Sequence, residues 1–310
     1  MKGIILAGGT GTRLFPLTIA TSKQLLPINN KPMIYYPLCT LMSMGLQDIL
    51  VITTPQDLGR FQLLLGDGNQ FGIRISYASQ DKPEGIAQTL TIGAPFLKGE
   101  SVALILGDNL FLGETIHQYL ETGVKTLFQQ QGAVVFAKQV VNPARFGVIE
   151  FGEQNEVLSI EEKPTQPKSN FCITGLYLFD YNAATYASQL KSSIRNELEI
   201  TEVIRSYLLQ GTLRSVILPN TISWLDAGTH DSYYDASKVV HDMETHMGAI
   251  IGSPEIISFC KGWIDKQKML STARKYGNNQ YGQLLTEAAD SKELVEYGYY
   301  SLWRSGVHWK

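Results

Sequence analysis

An α/β fold, with a mostly parallel mixed sheet covered by helices on both faces, is predicted by three features of this 310-residue chain. Apolar runs of strand length alternate with longer helical patterns through the first half, and repeated β-then-α segments require a sheet with helices returning across it. Continuous apolar runs such as Ala103-Leu104-Ile105-Leu106 suit strands buried on both faces. The first run, Gly3-Ile4-Ile5-Leu6-Ala7, breaks into a glycine-rich loop. In Rossmann-like sheets ligands bind at such carboxyl ends of strands.

Taken in order, strands are predicted over Lys2–Leu6, Asp48–Thr53, Ile73–Ala78, Val102–Leu106 and Ala133–Ala137. Helices are predicted between them over Met33–Met44, Gln56–Leu65, Ile86–Phe96 and Ile116–Gln130. After Val140 the rhythm changes. Gly147–Phe151, Val157–Glu161 and Ile173–Phe179 read as strands joined by short polar turns, the mark of a β-rich insertion. Helical patterns return at Asn182–Leu190 and Ile200–Leu209, and Leu213–Leu218 adds a strand. From Ser232 onward the chain reads as mostly helical, over Tyr233–Glu244, Pro254–Trp263, Lys266–Lys275 and Gln283–Ala289. This organisation divides the chain into a catalytic domain over 1–230, a helical C-terminal region over 231–290 and a tail over 291–310.

Hydrophobic residues at 44% and charged residues at 18% suit a globular enzyme rather than a disordered or fibrous chain. A net charge of −3 argues against a nucleic-acid-binding surface, so any nucleotide must be met by local cations. Cys39, Cys172 and Cys260 are few, widely spaced and odd in number, which points to a reducing cytoplasm and away from a disulfide or zinc framework. The chain opens directly on a strand, so no signal peptide is expected. No apolar stretch approaches ~18 residues, so no membrane span is expected.

The loop Gly8-Gly9-Thr10-Gly11-Thr12-Arg13 carries the strongest chemical signal. Glycines let backbone N–H groups approach phosphate oxygens, and Arg13 adds a permanently charged donor fork. A Walker loop is excluded because Thr12-Arg13, not Gly-Lys-Ser/Thr, follows Gly11. A dinucleotide fingerprint is excluded by Leu14, with Pro16 interrupting any helix there. A plain strand-to-helix turn is the simpler alternative, but three glycines, Arg13 and a further cation at Lys23 favour phosphate binding.

Two acids stand where a metal could bind. Asp108 follows the strand ending at Leu106, and Asp226 lies in Trp224-Leu225-Asp226-Ala227-Gly228-Thr229. Mg²⁺ takes one or two protein carboxylates plus phosphate oxygens and water. Equally open are a turn-forming role for Asp108 before Asn109 and a helix-capping role for Asp226. Glu161-Glu162-Lys163-Pro164 reads either as a solvated turn or as a carboxylate and an ammonium held in fixed directions by Pro164. His117, His230, His241, His246 and His308 form no metal-ligand pattern.

The ordered set Leu6–Pro16, Ser22–Pro27, Lys31–Pro37, Thr54–Asp57, Leu64–Gly68, Leu106–Asn109, Glu161–Pro164, Thr174–Tyr177, Glu197–Thr201 and Trp224–His230 resembles the sugar-1-phosphate nucleotidyltransferases, and closely the bacterial glucose-1-phosphate thymidylyltransferases. The likeness spans roughly residues 1–290. It implies transfer of a nucleotidyl group from dTTP to α-D-glucose 1-phosphate, giving dTDP-glucose and pyrophosphate, the first step toward dTDP-rhamnose and related deoxysugars. It further implies that residues 1–140 bind nucleotide and 141–230 bind sugar phosphate. Gly8, Gly11, Thr12, Arg13 and Lys23 would grip the triphosphate, with Arg13 and Lys23 as catalytic cations. Gln80 and Gly85 would meet the base. Asp108, also on the nucleotide, and Asp226 would hold Mg²⁺. Gly147, Glu162 and Ile173 would line the sugar pocket, and Lys163 would meet the sugar phosphate. A homotetramer with feedback inhibition by a downstream dTDP-sugar is implied as well. The chain departs from the family at Glu84, usually Asp, and at Phe146, commonly Tyr. Alternatives are the same reaction with UTP or another hexose 1-phosphate, or a catalytically silent nucleotide-binding regulator. The aromatic tail with Tyr297, Tyr299, Tyr300, Trp303 and Trp309 extends past the usual family end and has no assigned role.

Overall fold

The computed structural model describes residues 1–246 and 250–291, and the backbone of 247, 249, 295–297 and 300–302. Of the aromatic tail, Tyr299, Trp303 and Trp309 lie outside the described residues. In chain order come β1 (Lys2–Ala7), β2 (Pro27–Ile28), β3 (Lys31–Pro32), α1 (Tyr35–Ser43), β4 (Asp48–Thr53), α2 (Leu58–Leu65), β5 (Arg74–Ser79), α3 (Gln88–Leu97), β6 (Val102–Leu106) and β7 (Asn109–Leu112). The middle of the chain supplies α4 (Ile116–Gln130), β8 (Ala133–Gln139), β9 (Gly147–Phe151), β10 (Val157–Glu162), β11 (Phe171–Phe179), α5 (Ala183–Ser188), α6 (Ile200–Leu209), β12 (Leu213–Leu218) and β13 (Ser223–Asp226). The last part holds α7 (His230–Met247), β14 (Ala249–Ile251), α8 (Pro254–Cys260), α9 (Lys266–Tyr276), α10 (Gln280–Asp290), β15 (Val295–Tyr297) and β16 (Tyr300–Leu302).

The central sheet runs β10-β9-β11-β6-β1-β4-β5, with β8 paired to β11 and β12 beside β8. Strands β6, β1, β4 and β5 are mutually parallel, with Leu6 opposite Leu106 and Ala7 opposite Thr53. Strand β11 is antiparallel to β6, β8 and β9, so the insertion is grafted onto the edge of the parallel half. Ile4, Ile5, Ile49, Val51, Ala103, Leu104 and Ile105 are fully buried, as their unbroken apolar runs predict. Two apolar cores lie on the two sides of the sheet. One is built around α1, α4 and Val240 of α7, the other around α3, α5 and α6. A third, smaller core joins α8, α9 and α10.

Most predicted elements stand within a few residues of their expected bounds, and the departures have local causes. The helix expected from Met33 begins at Tyr35, because the amides of Met33 and Ile34 are already bonded to the carbonyls of Leu26 and Gln24. The C-terminal region contains strands as well as helices: β14 pairs with β16 across some fifty residues of chain, too short and too distant a pairing for periodicity to reveal. Strands β7 and β13 form a two-stranded ribbon for the same reason unforeseen.

Candidate active site

Strand register brings the loops after β1 and β6 out at one level of the sheet, where Gly107 N–H donates to the Leu6 carbonyl at 2.9 Å. After β1 the chain turns through Gly9 at φ 106° and Gly11 at φ 61°, conformations that glycine adopts without a Cβ clash. The Gly11 carbonyl accepts from the Leu14 amide at 2.9 Å and the Thr18 hydroxyl at 2.8 Å, closing a 3₁₀ turn over Thr12–Leu14. Leu14 is fully buried and anchors that turn, which projects Arg13 across to the far side of the crevice. A Cβ added to Gly228 would stand 3.0 Å from Arg13 Nη2 and 2.8 Å from Asp226 Oδ1, so the guanidinium and this carboxylate crowd the same glycine.

Lys23 opens a second 3₁₀ turn, pinned by buried Gln24 and the Ser22 hydroxyl, which donates to Gln24 Oε1 at 2.7 Å. Its ammonium donates to Asp108 Oδ2 in a buried ion pair. Asn109 Nδ2 donates to the other Asp108 oxygen at 2.9 Å. Burial drives the Asp108 carboxyl upward, but the Lys23 charge and hydrogen bond, with the Asn109 amide, hold it below the usual carboxylate range. The β7–β13 ribbon sets Asp226 opposite Asn109, and the Ala227 amide donates to the Asp108 carbonyl at 3.1 Å. Asp226 thus lies beside Asp108. Burial first, then the Asp108 charge, push its carboxyl up to about 6 against the pull of Lys23, Arg13 and Arg145. Asp226 is not a helix cap: the Ser232 amide is bonded by the Thr229 hydroxyl at 3.3 Å.

Whether this site fits Mg²⁺ is a question of donor chemistry. No group of three or more His, Cys, Asp or Glu side chains suited to a metal occurs among the described residues. Two adjacent, half-sequestered carboxylates nonetheless match the one or two protein oxygens that Mg²⁺ takes when substrate phosphate completes its shell. With Asp108 and Asp226 side by side in the cavity lining, the donors fit.

The insertion completes the cleft. In the β9–β10 hairpin Gly147 faces Glu162, and the β9–β11 register places Ile173 next to them. A cavity of about 200 Å³ is lined by Arg13, Asp108, Asp226, Gly147, Glu162, Lys163 and Ile173 together, with Leu106, Phe146, Tyr177 and Trp224 as apolar wall. Lys163 has φ 44°, an uncommon conformation for a side-chain-bearing residue, and its Nζ lies 3.6 Å from Glu162 Oε1. Arg195 Nη2 reaches the same Glu162 oxygen at 3.1 Å. The rings of Phe146 and Trp224 lie 4.9 Å apart, so Phe146 supplies an apolar face to the cleft.

Gly8, Gly11, Thr12, Lys23, Gln80 and Gly85 lie outside the lining of that cavity. Lys23 reaches it through Asp108. Gly8 and Gln80 are neighbours, since a Cβ on Gly8 would stand 2.9 Å from Gln80 Oε1. Gln80 Nε2 donates to Gln88 Oε1 at 2.6 Å and to the Gly85 carbonyl at 3.4 Å. Gly85, at φ 110°, leaves room for Leu198: a Cβ there would meet its carbonyl oxygen at 2.4 Å. Glu84 is exposed and accepts from Gln88 Nε2 at 2.7 Å.

Three further residues of the site were missed by sequence reasoning. Asn109 Oδ1 accepts from Trp224 Nε1 at 2.6 Å and from the Gly175 amide at 3.2 Å, tying three strands together under the cavity. Arg145 lines the cavity and carries no ion pair among the described residues; its place in a turn just before Gly147 was the available signal. Thr201 also lines the cavity, and its hydroxyl is buried without a hydrogen-bond partner. Its place at the end of the Glu197–Thr201 motif was the available signal.

A glycine loop at a strand end, two cations, two acids and a small cleft are the parts of an enzyme that handles phosphorylated ligands. The chain belongs to the nucleotidyl transferase family, whose model matches residues 2–243. Within that family it stands among the glucose-1-phosphate thymidylyltransferases. It is 50% identical to that of Neisseria meningitidis serogroup A over 285 residues, which cover 92% of this chain and 98% of that protein. It is 48% identical to that of Mycobacterium tuberculosis over 287 residues, or 93% of this chain and 98% of that one. A Bacillus anthracis structure assigned as a glucose-1-phosphate thymidylyltransferase, in complex with sucrose, is 40% identical with TM-score 0.72, over 78% of this chain and 96% of that one. A UDP-glucose pyrophosphorylase complexed with UDP-glucose shares the fold, at 24% identity and TM-score 0.68 over 78% of this chain and 98% of that one.

The tightness of the insertion side yields a first prediction. A Cβ on Gly147 would stand 3.1 Å from Thr201 Cγ2 and 3.5 Å from Glu162 Oε2. Gly147→Ala is therefore expected to raise KM for a sugar phosphate about tenfold, the order of one small misfit in a pocket. KM for the nucleotide should stay near wild type; initial rates with each substrate varied in turn check this.

Proposed function

We propose that the chain joins dTTP and α-D-glucose 1-phosphate to give dTDP-glucose and pyrophosphate, in the cytoplasm and with Mg²⁺. The observation that carries this reading is the convergence of Arg13, the Lys23–Asp108 pair and Asp226 on one cavity whose opposite wall holds Glu162 and Lys163.

Bound by Asp108 and Asp226, Mg²⁺ would neutralise and orient phosphate oxygens. The chain's own groups then divide the work. Backbone amides of the Gly8–Thr12 loop and the Arg13 guanidinium hold the triphosphate. Lys23 lies against Asp108, where its ammonium can turn toward the α-phosphate as charge develops. Lys163 holds the sugar phosphate, while Glu162 accepts sugar hydroxyls, kept in place by Arg195. An oxygen of the sugar phosphate attacks the α-phosphorus, the bond from that phosphorus to the bridging oxygen of the β-phosphate breaks, and pyrophosphate leaves with the electron pair. A phosphate monoester has a second pKa near ~6 and is already largely dianionic at neutral pH, so no general base is needed. Among the described residues no histidine lines the cavity. Positioning and charge neutralisation supply the catalysis.

Pyrophosphate release with glucose 1-phosphate and each of dTTP, UTP and GTP, with and without Mg²⁺, tests the reading. Metal-dependent release that is fastest with dTTP is expected. Release fastest with UTP would move the nucleotide assignment, and no release with any pair would return the chain to the silent-regulator alternative. Mg²⁺ with dTTP is also expected to raise Tm, because a ligand bound only by the native state stabilises it. The same reading includes a homotetramer under feedback by a dTDP-sugar, supported by likeness to the family; light scattering checks the assembly.

A further inference from the structure

Helix α7 has no place in the chemistry described above, yet it packs against the segments that bear Arg13, Lys23 and Asp226. Its N-terminus follows Asp226 by four residues, with Thr229 bonded to Ser232 at the junction. Along its length His230, Tyr233, Ser237 and Glu244 recur at i, i+3, i+7 and i+14, so they share one face. Each is spent on the stretch Phe15–Lys31. His230 Nε2 donates to the Phe15 carbonyl at 3.0 Å, two residues beyond Arg13. Tyr233 Oη donates to the Pro27 carbonyl at 2.5 Å, four residues beyond Lys23. Ser237 Oγ accepts from the Asn29 amide at 2.8 Å. Glu244 accepts from Asn29 Nδ2 and from Lys31 Nζ, both at 2.7 Å, and Lys31 is only 2% exposed.

The hairpin these bonds hold is itself the frame of the Lys23 turn. The Met33 amide closes onto the Leu26 carbonyl and the Ile34 amide onto the Gln24 carbonyl, both at 2.9 Å. Residues that must stand at fixed distances in the transition state therefore hang from one rigid rod: Asp226 at its start, Arg13 by way of Phe15, and Lys23 by way of Pro27.

We propose that this face of α7 is a strut that sets Arg13 and Lys23 in register with Asp226, and that His230 and Tyr233 are positioning residues for the nucleotidyl transfer. The inference rests on the reaction proposed above. A merely structural contact would contribute stability and nothing else; a strut governs geometry at the triphosphate while leaving the sugar side untouched, since neither residue reaches the β9–β10 hairpin.

The test compares His230→Leu, His230→Gln and Tyr233→Phe with the wild type. Glutamine places an amide donor where Nε2 stands and should rescue; leucine cannot donate. Two readouts are needed, backbone hydrogen exchange over residues 12–28 and steady-state kinetics. His230→Leu and Tyr233→Phe are expected to exchange faster there and to lose kcat about tenfold or more, as small misplacements of reacting groups do. KM for glucose 1-phosphate should stay within about twofold, given that the sugar contacts are unchanged, and His230→Gln should lie near wild type in both readouts. Unchanged exchange and kcat, equal losses in His230→Gln and His230→Leu, or a parallel rise in KM for glucose 1-phosphate would each overturn the proposal. If the wild type itself releases no pyrophosphate, the reaction assigned above fails, while exchange over residues 12–28 still decides the strut.

Discussion

Lys23→Ala is expected to lower kcat by about 10²–10³, the loss seen when one preorganised electrostatic donor is removed from a transition state. The same change should destabilise the metal-free protein, and both effects have one cause. Lys23 and Asp108 form a pair with side-chain exposures of only 13% and 12%. Removing one partner of a buried pair leaves a charge without compensation, a loss of about 3–5 kcal/mol where no other group takes over. Here Asp108 would face Asp226 with its neutralising ammonium gone, so it should take up a proton. Added Mg²⁺ should restore much of the lost Tm but little of the kcat, because a cation can balance the acids without taking the place of Lys23 at the phosphate. A Lys23→Ala protein with wild-type turnover would remove this residue from the chemistry.

Asp226→Asn should separate stability from activity in the opposite direction. The Asp226 carboxyl is raised from an ordinary value of 3.8 to about 6 in the folded chain. A group that holds its proton more tightly folded than unfolded favours folding while protonated, below about pH 4, and that contribution disappears as pH rises through about 6. At neutral pH the ionised Asp226 therefore burdens the metal-free fold, and the neutral amide should raise Tm. The gain should shrink toward pH 5, where wild-type Asp226 is increasingly protonated. Activity should fall by at least about 10², since a charged ligand for the cation that steadies the phosphates is lost. The Mg²⁺-dependent rise in Tm should weaken with it. Melting curves between pH 5 and pH 8 with and without Mg²⁺, alongside turnover, check all of this; a variant that melts lower than wild type at neutral pH would contradict the placement of Asp226 against Asp108.

Much of the architecture was legible because it is written in local periodicity. The buried parallel strands are runs such as Ile4-Ile5, Ile49-Leu50-Val51-Ile52 and Ala103-Leu104-Ile105, which no half-exposed strand would carry. The hairpin of β9 and β10 was readable from short strands and polar turns. Ribbon pairing of β7 with β13, by contrast, joins residues more than a hundred positions apart, and its strands are only four residues long. That pairing is what places Asp226 beside Asp108; residue type and period offered two candidate acids with alternative roles, and only the family resemblance joined them. Asn109 had no role assigned from the sequence, and its bonds to Trp224 and Gly175 exist only once three strands have met.

What the sequence determined by itself was the set of chemical parts and the edge of the sheet on which they fall: glycines and Arg13 after the first strand, Asp108 after a later one, Glu162 and Lys163 at the end of an insertion strand. Residue type and alternation are local properties, and a strand's carboxyl end is defined by its own run. Tertiary structure alone decided the pairings: Lys23 on Asp108, Asp226 raised by its neighbour, Phe146 against Trp224, and α7 bonded along one face to the segments bearing Arg13 and Lys23. Those depend on through-space distance between segments far apart in the chain, which composition and period do not encode.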